Sequence, residues 1–425
     1  MKVLYIFQSD FTGPGEKLFF YMANELARCG QESMVLVNGA PETIRTMSQE
    51  PAFECLRLAF QGTRLARDLC EKIARFKPDV VHAQYIRNEP FRAGLELKRR
   101  FGVPLIVHHD DAEDAIFQMR FQRWWEAPIS RVLLAAGTWV NPRWWHWYNP
   151  GLKFLEKEID AHDCLTQALK IDLRRRSGLE AEHLYLGLDV DFFQLPPRAD
   201  KRRLPPGIKP DDFVVMYNGS LHRYTLPDFE MLLDAIAVAR QKNPKIRLVY
   251  SGSNFRQAEV AHGIQKRGLA GAVTALGLVP TMSELRDHFA YADVFVQPGK
   301  NTRFNELRFP SKLMFYLAAG RPIITLDFGF GRLLTHRQDA LLYQDYRAEA
   351  IADLIRWVHD QPVLAGEIGR RAVETARRLF DVKQTAQQYL RLYERVLAGK
   401  NALDAGACGR GVGGPRPAGM PQPGT

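Results

Sequence analysis

The stretch spanning residues 275–327 reads ALGLVPTMSELRDHFAYADVFVQPGKNTRFNELRFPSKLMFYLAAGRPIITLD. Its order is strand, helix, strand, basic loop, helix, strand. Residues 275–280 form a short apolar run ending in a turn, and Thr281 or Ser283 can cap the helix that follows. Residues 293–298 are a second strand, stopped by Pro298 and Gly299. The loop 300–309 is too polar and basic to be buried without a partner. Pro310 suits a first helical position, where its missing N–H costs nothing, so the amides of Ser311 and Lys312 face outward. Gly320, Arg321 and Pro322 end that helix before the strand 323–326. Arg303, Arg308 and Lys312 are thus expected around one helix N-terminus at the carboxyl end of a strand. Open α/β sheets take anions such as a diphosphate there. Solvated surface charge is the competing reading of the same residues.

The rest of the chain repeats this alternation. Residues 2–7 are an apolar strand that leads through Gly13 and Gly15 into a helix from Lys17 to Cys29, with Gly30 ending it before a strand at 34–37. The glycine loop lacks a full GxGxxG fingerprint, so it permits close backbone approach and proves no dinucleotide. Strands follow at 79–82 and 104–109, and 185–189 closes this half. A charged, proline-rich link at 196–207 marks a boundary. Beyond it come a strand at 213–217, a turn at Asn218-Gly219-Ser220, a helix from Leu226 to Lys242 and a strand at 246–250. At 425 residues two domains are expected. Alternating strands and helices in both make them doubly wound α/β units facing a central cleft. The predicted division is 1–195, 208–382, a closing helix at 383–400, and a Gly/Pro-rich, disordered tail at 402–425.

Composition narrows the function classes. With 46% hydrophobic and 25% charged residues the chain is an ordinary globular protein. A net charge of +10 favours acidic partners: nucleotides, phosphorylated sugars, anionic lipid or nucleic acid. The five cysteines form no CxxC pair, and no histidine cluster stands at metal-ligand spacing, so neither a disulfide framework nor a metal site is expected. The N-terminus becomes polar at Gln8 too soon for a signal peptide, and no run is long enough to span a bilayer. A cytoplasmic protein is expected. The basic residues form no recognition helix or arm, which ranks nucleic acid last.

The ordered series Gly13/Gly15, His109-Asp110, Gly187-Leu188-Asp189 with Phe192, Gly219-Ser220, Gly252, Gly277-Leu278-Val279, Pro298, and Phe309-Pro310-Ser311-Lys312 through Leu317-Ala318-Ala319-Gly320-Arg321-Pro322 resembles family 4 glycosyltransferases of the GT-B fold. It covers about residues 1–400. The resemblance implies two Rossmann-like domains and a retaining, metal-independent transfer from a nucleotide-sugar donor, with no cofactor, to a glycan or lipid-linked acceptor. It implies a donor site on the second domain: Lys312 and Arg308 at the diphosphate, with Gly219, Ser220, Arg223 and Ser311 beside it, and Leu278 and Val279 at the base. Gly13 and Gly15 would approach the phosphates from the first domain, and His109 would lie near the transferred sugar. Departing diphosphate gathers negative charge, so fixed cations there favour the transition state over the ground state.

The pattern departs from the family at one pair of positions. Relatives often carry two glutamates in the loop and helix that grip sugar and ribose; here Leu307 and Phe315 stand in their places, with Glu306 and Asn305 one and two residues out of register as substitutes. That departure motivates an alternative, a catalytically degenerate relative serving as a binding or scaffold protein. A second motif is the run 121–148, with Trp124, Trp125, Trp139, Trp144, Trp145 and Trp147 among Arg120, Arg123, Arg131 and Arg143, ending at Tyr148. It allows three readings: packing between helices, stacking on sugar rings, or peripheral contact with the inner face of a membrane.

Overall fold

A computed structural model describes residues 1–119, 155–196, 204–205 and 207–408, together with the isolated positions 128 and 132; for 117–119 and 401–408 only the backbone is described. Two parallel sheets dominate. The first contains β1 (Lys2–Phe7), β2 (Glu32–Val37), β3 (Glu54–Arg57), β6 (Val80–Gln84), β7 (Leu105–His109), β8 (Ala161–Cys164) and β9 (Ala181–His183), in spatial order 3-2-1-6-7-8-9; a small hairpin, β4 (Phe60–Gln61) and β5 (Arg64–Leu65), lies outside it. The second contains β10 (Phe213–Asn218), β11 (Ile246–Ser251), β12 (Val273–Gly277), β13 (Val294–Gln297), β14 (Ile323–Leu326) and β15 (Leu341–Tyr343), in order 12-11-10-13-14-15. Strand order reverses beside β1 in one and beside β10 in the other. These are the two switch points at which doubly wound sheets open a crevice.

The strands are near-continuous hydrophobic runs because helices cover both sheet faces. Val3 to Phe7 and Val214 to Met216 are fully buried. The helix Pro14–Arg28 buries Leu18, Phe19, Phe20 and Met22 on one sheet, and Leu226–Lys242 buries Phe229, Leu232 and Ile236 on the other. Each such side chain contributes roughly 1.5–3 kcal/mol on leaving water. One core cluster runs across both domains: Phe193 packs edge-on against Phe315, with ring centroids 4.9 Å apart, and Tyr185 meets Phe309 at 5.5 Å.

The chain crosses back to its first domain at the end. Leu188 and Asp381 form a parallel bridge, and the helix Val382–Cys408 then lies against the helix Pro14–Arg28 with Tyr389 and Tyr393 fully buried. This helix is longer than the sequence suggests. It runs into the glycine-rich tail as far as Cys408 because Ala402 to Ala407 contain one glycine and good helix formers; residues 409–425 lie outside the described part. Two local differences appear in the stretch 275–327. The strand expected at 275–280 begins two residues earlier and ends at Gly277, where a φ of 71° turns the chain out of the sheet. The loop 300–309 contains a short helix, Arg303–Leu307, because Thr302 accepts from the Asn305 amide as an N-cap. Thr281 caps the following helix, Met282–Phe289, with Glu284 completing a reciprocal capping box.

Candidate active site

A pocket of about 170 Å³ lies between the carboxyl ends of the two sheets. Its second-domain wall carries Arg308, Ser311, Lys312 and Asp228, and its first-domain wall carries Gly15, Tyr85, Asp110 and Asp111. The Lys312 ammonium sits 4.3 Å above the Tyr217 ring and donates to the Tyr217 hydroxyl at 3.2 Å, with no carboxylate ion-paired to it among the described residues. Burial, with Arg308 beside it, pushes its pKa down to about 7, and only Asp228 pulls the other way. The Arg308 guanidinium lies 4.7 Å from the Phe304 ring and makes no ion pair among the described residues; its Nε is buried without a partner. The amides of Leu313 and Met314 close turns onto Pro310 and Ser311, whereas Ser311 offers no side-chain cap. Two close cations in no ion pair among the described residues, with Asp228 and Asp111 only nearby, cost stability in an empty site. They imply an anion.

Gly219 explains how Lys312 reaches this place. Its φ of 151° and missing side chain leave room for the Lys312 Nζ, which a Cβ would meet at 2.2 Å. The turn is held from below, where Asn218 donates to Ser251 at 2.8 Å and the Tyr316 hydroxyl accepts from the Asn218 amide at 2.7 Å.

Across the cleft the carboxylates are held internally. Asp110 accepts from Tyr85 and stands 2.6 Å from His108 Nε2. Tyr85 is one of three non-glycine residues with positive φ among those described, at 65°. Asp111 is pushed up to about 7 by burial, opposed by Arg308. Behind Asp110, His108 Nδ1 meets Asp163 at 2.5 Å, His82 Nε2 meets the other Asp163 oxygen at 2.9 Å, and both histidines are buried. His82, His108 and Asp163 offer ligand atoms within 4.8 Å of one another, so the fold builds a metal-like cluster that sequence spacing hides. Each of its ring nitrogens already has a hydrogen-bond partner, which makes it a polar network.

Several residues expected at the site are placed otherwise. His109 does end β7, but successive strand residues face opposite ways: His108 turns toward Asp163, and His109 is buried against His162, 3.1 Å away, with its pKa held well below the usual range by burial. Gly13 and Gly15 have internal reasons to be glycine. A Cβ on Gly13 would meet the Glu16 carboxylate at 2.1 Å, and one on Gly15 would meet Gln84 at 2.4 Å and Asp110 at 2.7 Å. Arg303 is turned away and paired with Asp172 of the first domain at 2.7 Å. Leu307 and Phe315 are buried core residues, the first with its carbonyl accepting from Thr166 at 3.1 Å. Asn305 is buried beneath the loop and donates to the Lys300 carbonyl, and half-exposed Glu306 lines no part of the pocket. Arg223 is exposed, Ser220 half-exposed beside Gly252, Leu278 62% exposed and Val279 buried. The tryptophan run 121–148 lies outside the described residues save positions 128 and 132. Asp111, Tyr85 and Asp228 were not singled out from sequence; the doubled acid directly after an apolar strand was the available signal for Asp111.

Residues 212–361 match the family described as glycosyl transferases group 1. A D-inositol 3-phosphate glycosyltransferase of Pseudarthrobacter chlorophenolicus is 26% identical over 328 residues, 72% of this chain and 69% of that protein. One from Paenarthrobacter aurescens is 24% identical over 418 residues, 89% of this chain and 92% of that protein. Among solved structures, Anabaena Alr3699/HepE in complex with UDP-glucose superposes with a TM-score of 0.65 at 16% identity, over 93% of this chain and all of that one. Sucrose-phosphate synthase of Thermosynechococcus elongatus gives 0.65 at 15% identity, over 94% and 100%.

Proposed function

We propose that this chain, a glycosyltransferase of the GT-B fold, is a retaining, metal-independent enzyme of family 4 that moves a sugar from a nucleoside diphosphate to a glycan or lipid-linked acceptor. The observation that carries this reading is the convergence of Lys312 and Arg308, in no ion pair among the described residues, with Gly219 leaving room for the Lys312 ammonium. Two fixed cations are what a departing diphosphate needs, since its charge grows as the anomeric bond breaks. No divalent ion is then required to neutralise it. Ser311 and the Gly219–Ser220 turn would line the diphosphate, Leu278 and Val279 the base, and the first-domain wall would receive the acceptor. No helix among the described residues is long and apolar enough to cross a membrane, and a cytoplasmic enzyme meeting its acceptor at the membrane surface fits the basic charge.

Phe315 favours a second reading. It fills a core position where relatives carry the ribose carboxylate, so the chain would be a degenerate binding or scaffold protein. One experiment addresses both. Purified protein is screened by thermal shift against UDP-, GDP- and ADP-sugars, and then assayed for transfer with chelator present, the anomeric configuration of the product being read by NMR. Transfer with retention in chelator is expected. Stabilisation without turnover selects the scaffold reading, and no stabilisation by any nucleotide removes both.

A further inference from the structure

A chain of buried hydrogen bonds runs from the last helix to the cleft. Tyr393 bonds the Tyr5 hydroxyl at 3.1 Å and His82 Nδ1 at 2.9 Å. His82 Nε2 reaches one Asp163 oxygen, and the other takes Tyr389 at 2.6 Å and His108 Nδ1 at 2.5 Å. His108 Nε2 ends on Asp110 Oδ1, and Tyr85, in its left-handed backbone, holds Oδ2. Every member except Asp110 and Tyr85 is at most 1% exposed, and only those two and Gly15 present this assembly to the pocket. A buried polar network satisfied at each step rigidifies what it holds, here the Asp110 carboxylate at its cleft end. Strained backbone at the cleft end points the same way.

We infer that Tyr389 and Tyr393, on the closing helix, are positioning residues for Asp110, and that Asp110 binds a hydroxyl of the sugar substrates in the cleft. This rests on the glycosyltransferase reading. Both Asp110 oxygens keep a lone pair toward the pocket beyond the bonds from His108 and Tyr85. A carboxylate fixed on two sides is suited to accept from a sugar hydroxyl, whether of the transferred sugar or of the acceptor. The charges facing the relay are Asp110 and Asp163 at His108, with His82 beyond, and Glu16, Asp111, Glu113 and Arg87 around Asp110 and Tyr85. Between its two carboxylates His108 is held up to about 10 and stays doubly protonated at neutral pH.

The test uses the full chain and the variants Tyr389→Phe, Asp163→Asn and Asp110→Asn. Tyr389→Phe, which keeps the ring and removes one hydroxyl, is expected to lower kcat about ten-fold, as removal of an outer-shell partner does. Its affinity for the bare nucleoside diphosphate should not change. Asp110→Asn should lower kcat further, and the double variant should be no worse than Asp110→Asn alone. Thermal stabilisation by nucleotide-sugar but not by nucleoside diphosphate falls in Asp110→Asn if the hydroxyl is the donor's; a raised acceptor KM marks it as the acceptor's. Histidine side-chain ¹⁵N NMR gives a readout independent of turnover: His108 keeps both ring protons to pH 9 in the parent chain and loses one near neutrality in Asp163→Asn. Additive effects of Tyr389→Phe and Asp110→Asn, an unchanged Tyr389→Phe enzyme, a neutral His108 at pH 7, or stoichiometric metal bound at His82 and His108 each overturn the relay. Absence of any donor binding by the parent chain overturns the enzymatic reading instead and leaves the NMR result standing.

Discussion

The two walls of the cleft are stabilised in opposite ways. On the first domain the relay behind Asp110 is hydrogen-bonded at each step, from Tyr85 back to Tyr393. On the second domain Lys312 and Arg308 lie together against the Tyr217 and Phe304 rings, with Asp228 and Asp111 near them but in no ion pair with either among the described residues. A satisfied network keeps its geometry whether or not substrate is present, whereas unpaired cations carry an unfavourable energy that a ligand relieves. The first wall is built to orient, the second to bind, and residue identity alone shows only the second.

The sharpest way to break this contrast is at the cations. Lys312→Ala should reduce transfer by about a thousand-fold, the scale on which single oxyanion-stabilising groups act. Lys312→Met should at the same time raise the stability of the ligand-free protein by about 1 kcal/mol, read by urea denaturation, because it removes a cation held beside Arg308. Loss of stability together with loss of binding would make Lys312 a structural residue. Next in size, Phe315→Glu should destabilise the protein by roughly 3 kcal/mol or more and restore no activity, since the carboxylate would be buried against Phe193 without a partner. A stable, more active Phe315→Glu enzyme would show that the helix rotates to present this position to the donor.

Two predictions concern pH. Lys312 titrates near 7 in the empty site and Asp111 gains its negative charge in the same range, so both weaken anion binding as pH rises. Affinity for a nucleoside diphosphate should fall above pH 7, and calorimetry in buffers of different ionisation enthalpy should show proton uptake on binding. For His108 the folded pKa is raised above the unfolded value, so its contribution to stability is complete below about 6.5 and is lost as pH rises through about 10. Asp163 is held far below the usual carboxylate range by the two histidines, against its burial, so its contribution is present above about 4 and disappears in acid. Denaturation midpoints of the parent chain and His108→Gln should therefore converge toward alkaline pH. The smallest effect belongs to the strap between the walls: Arg303→Ala should cost at most about 1 kcal/mol, as exposed ion pairs do, with no change in donor affinity.

The fold could be read from periodicity because parallel strands buried on both faces leave apolar runs such as Val214 to Met216 and Ile323 to Leu326, punctuated by glycine and proline. The cation cluster was legible in part, since a helix starts close to Pro310; it is Lys312–Ala319, however, so Pro310 precedes the N-cap Ser311 and does not fill the first helical position expected for it. Arg303 was misplaced because Thr302 turns the loop into a helix of its own and aims that side chain at Asp172. A strand end does not reveal which of two adjacent histidines, His108 or His109, faces which sheet surface. Nor does spacing reveal the relay, whose members lie on β1, β6, β7, β8 and the closing helix. Its partners are 25 to 388 positions apart save for His108 and Asp110, and only the sheet order brings them into register.

The pairing of Tyr5 with Tyr393 means that the chain's beginning is finished by its end. On a ribosome the first sheet emerges well before the helix that supplies its last two hydroxyls, and until then Asp163 and His82 lack their tyrosine partners. The leading half should therefore remain loosely packed through most of synthesis and harden in one late step, when the trailing helix docks and the cleft acid is fixed in place.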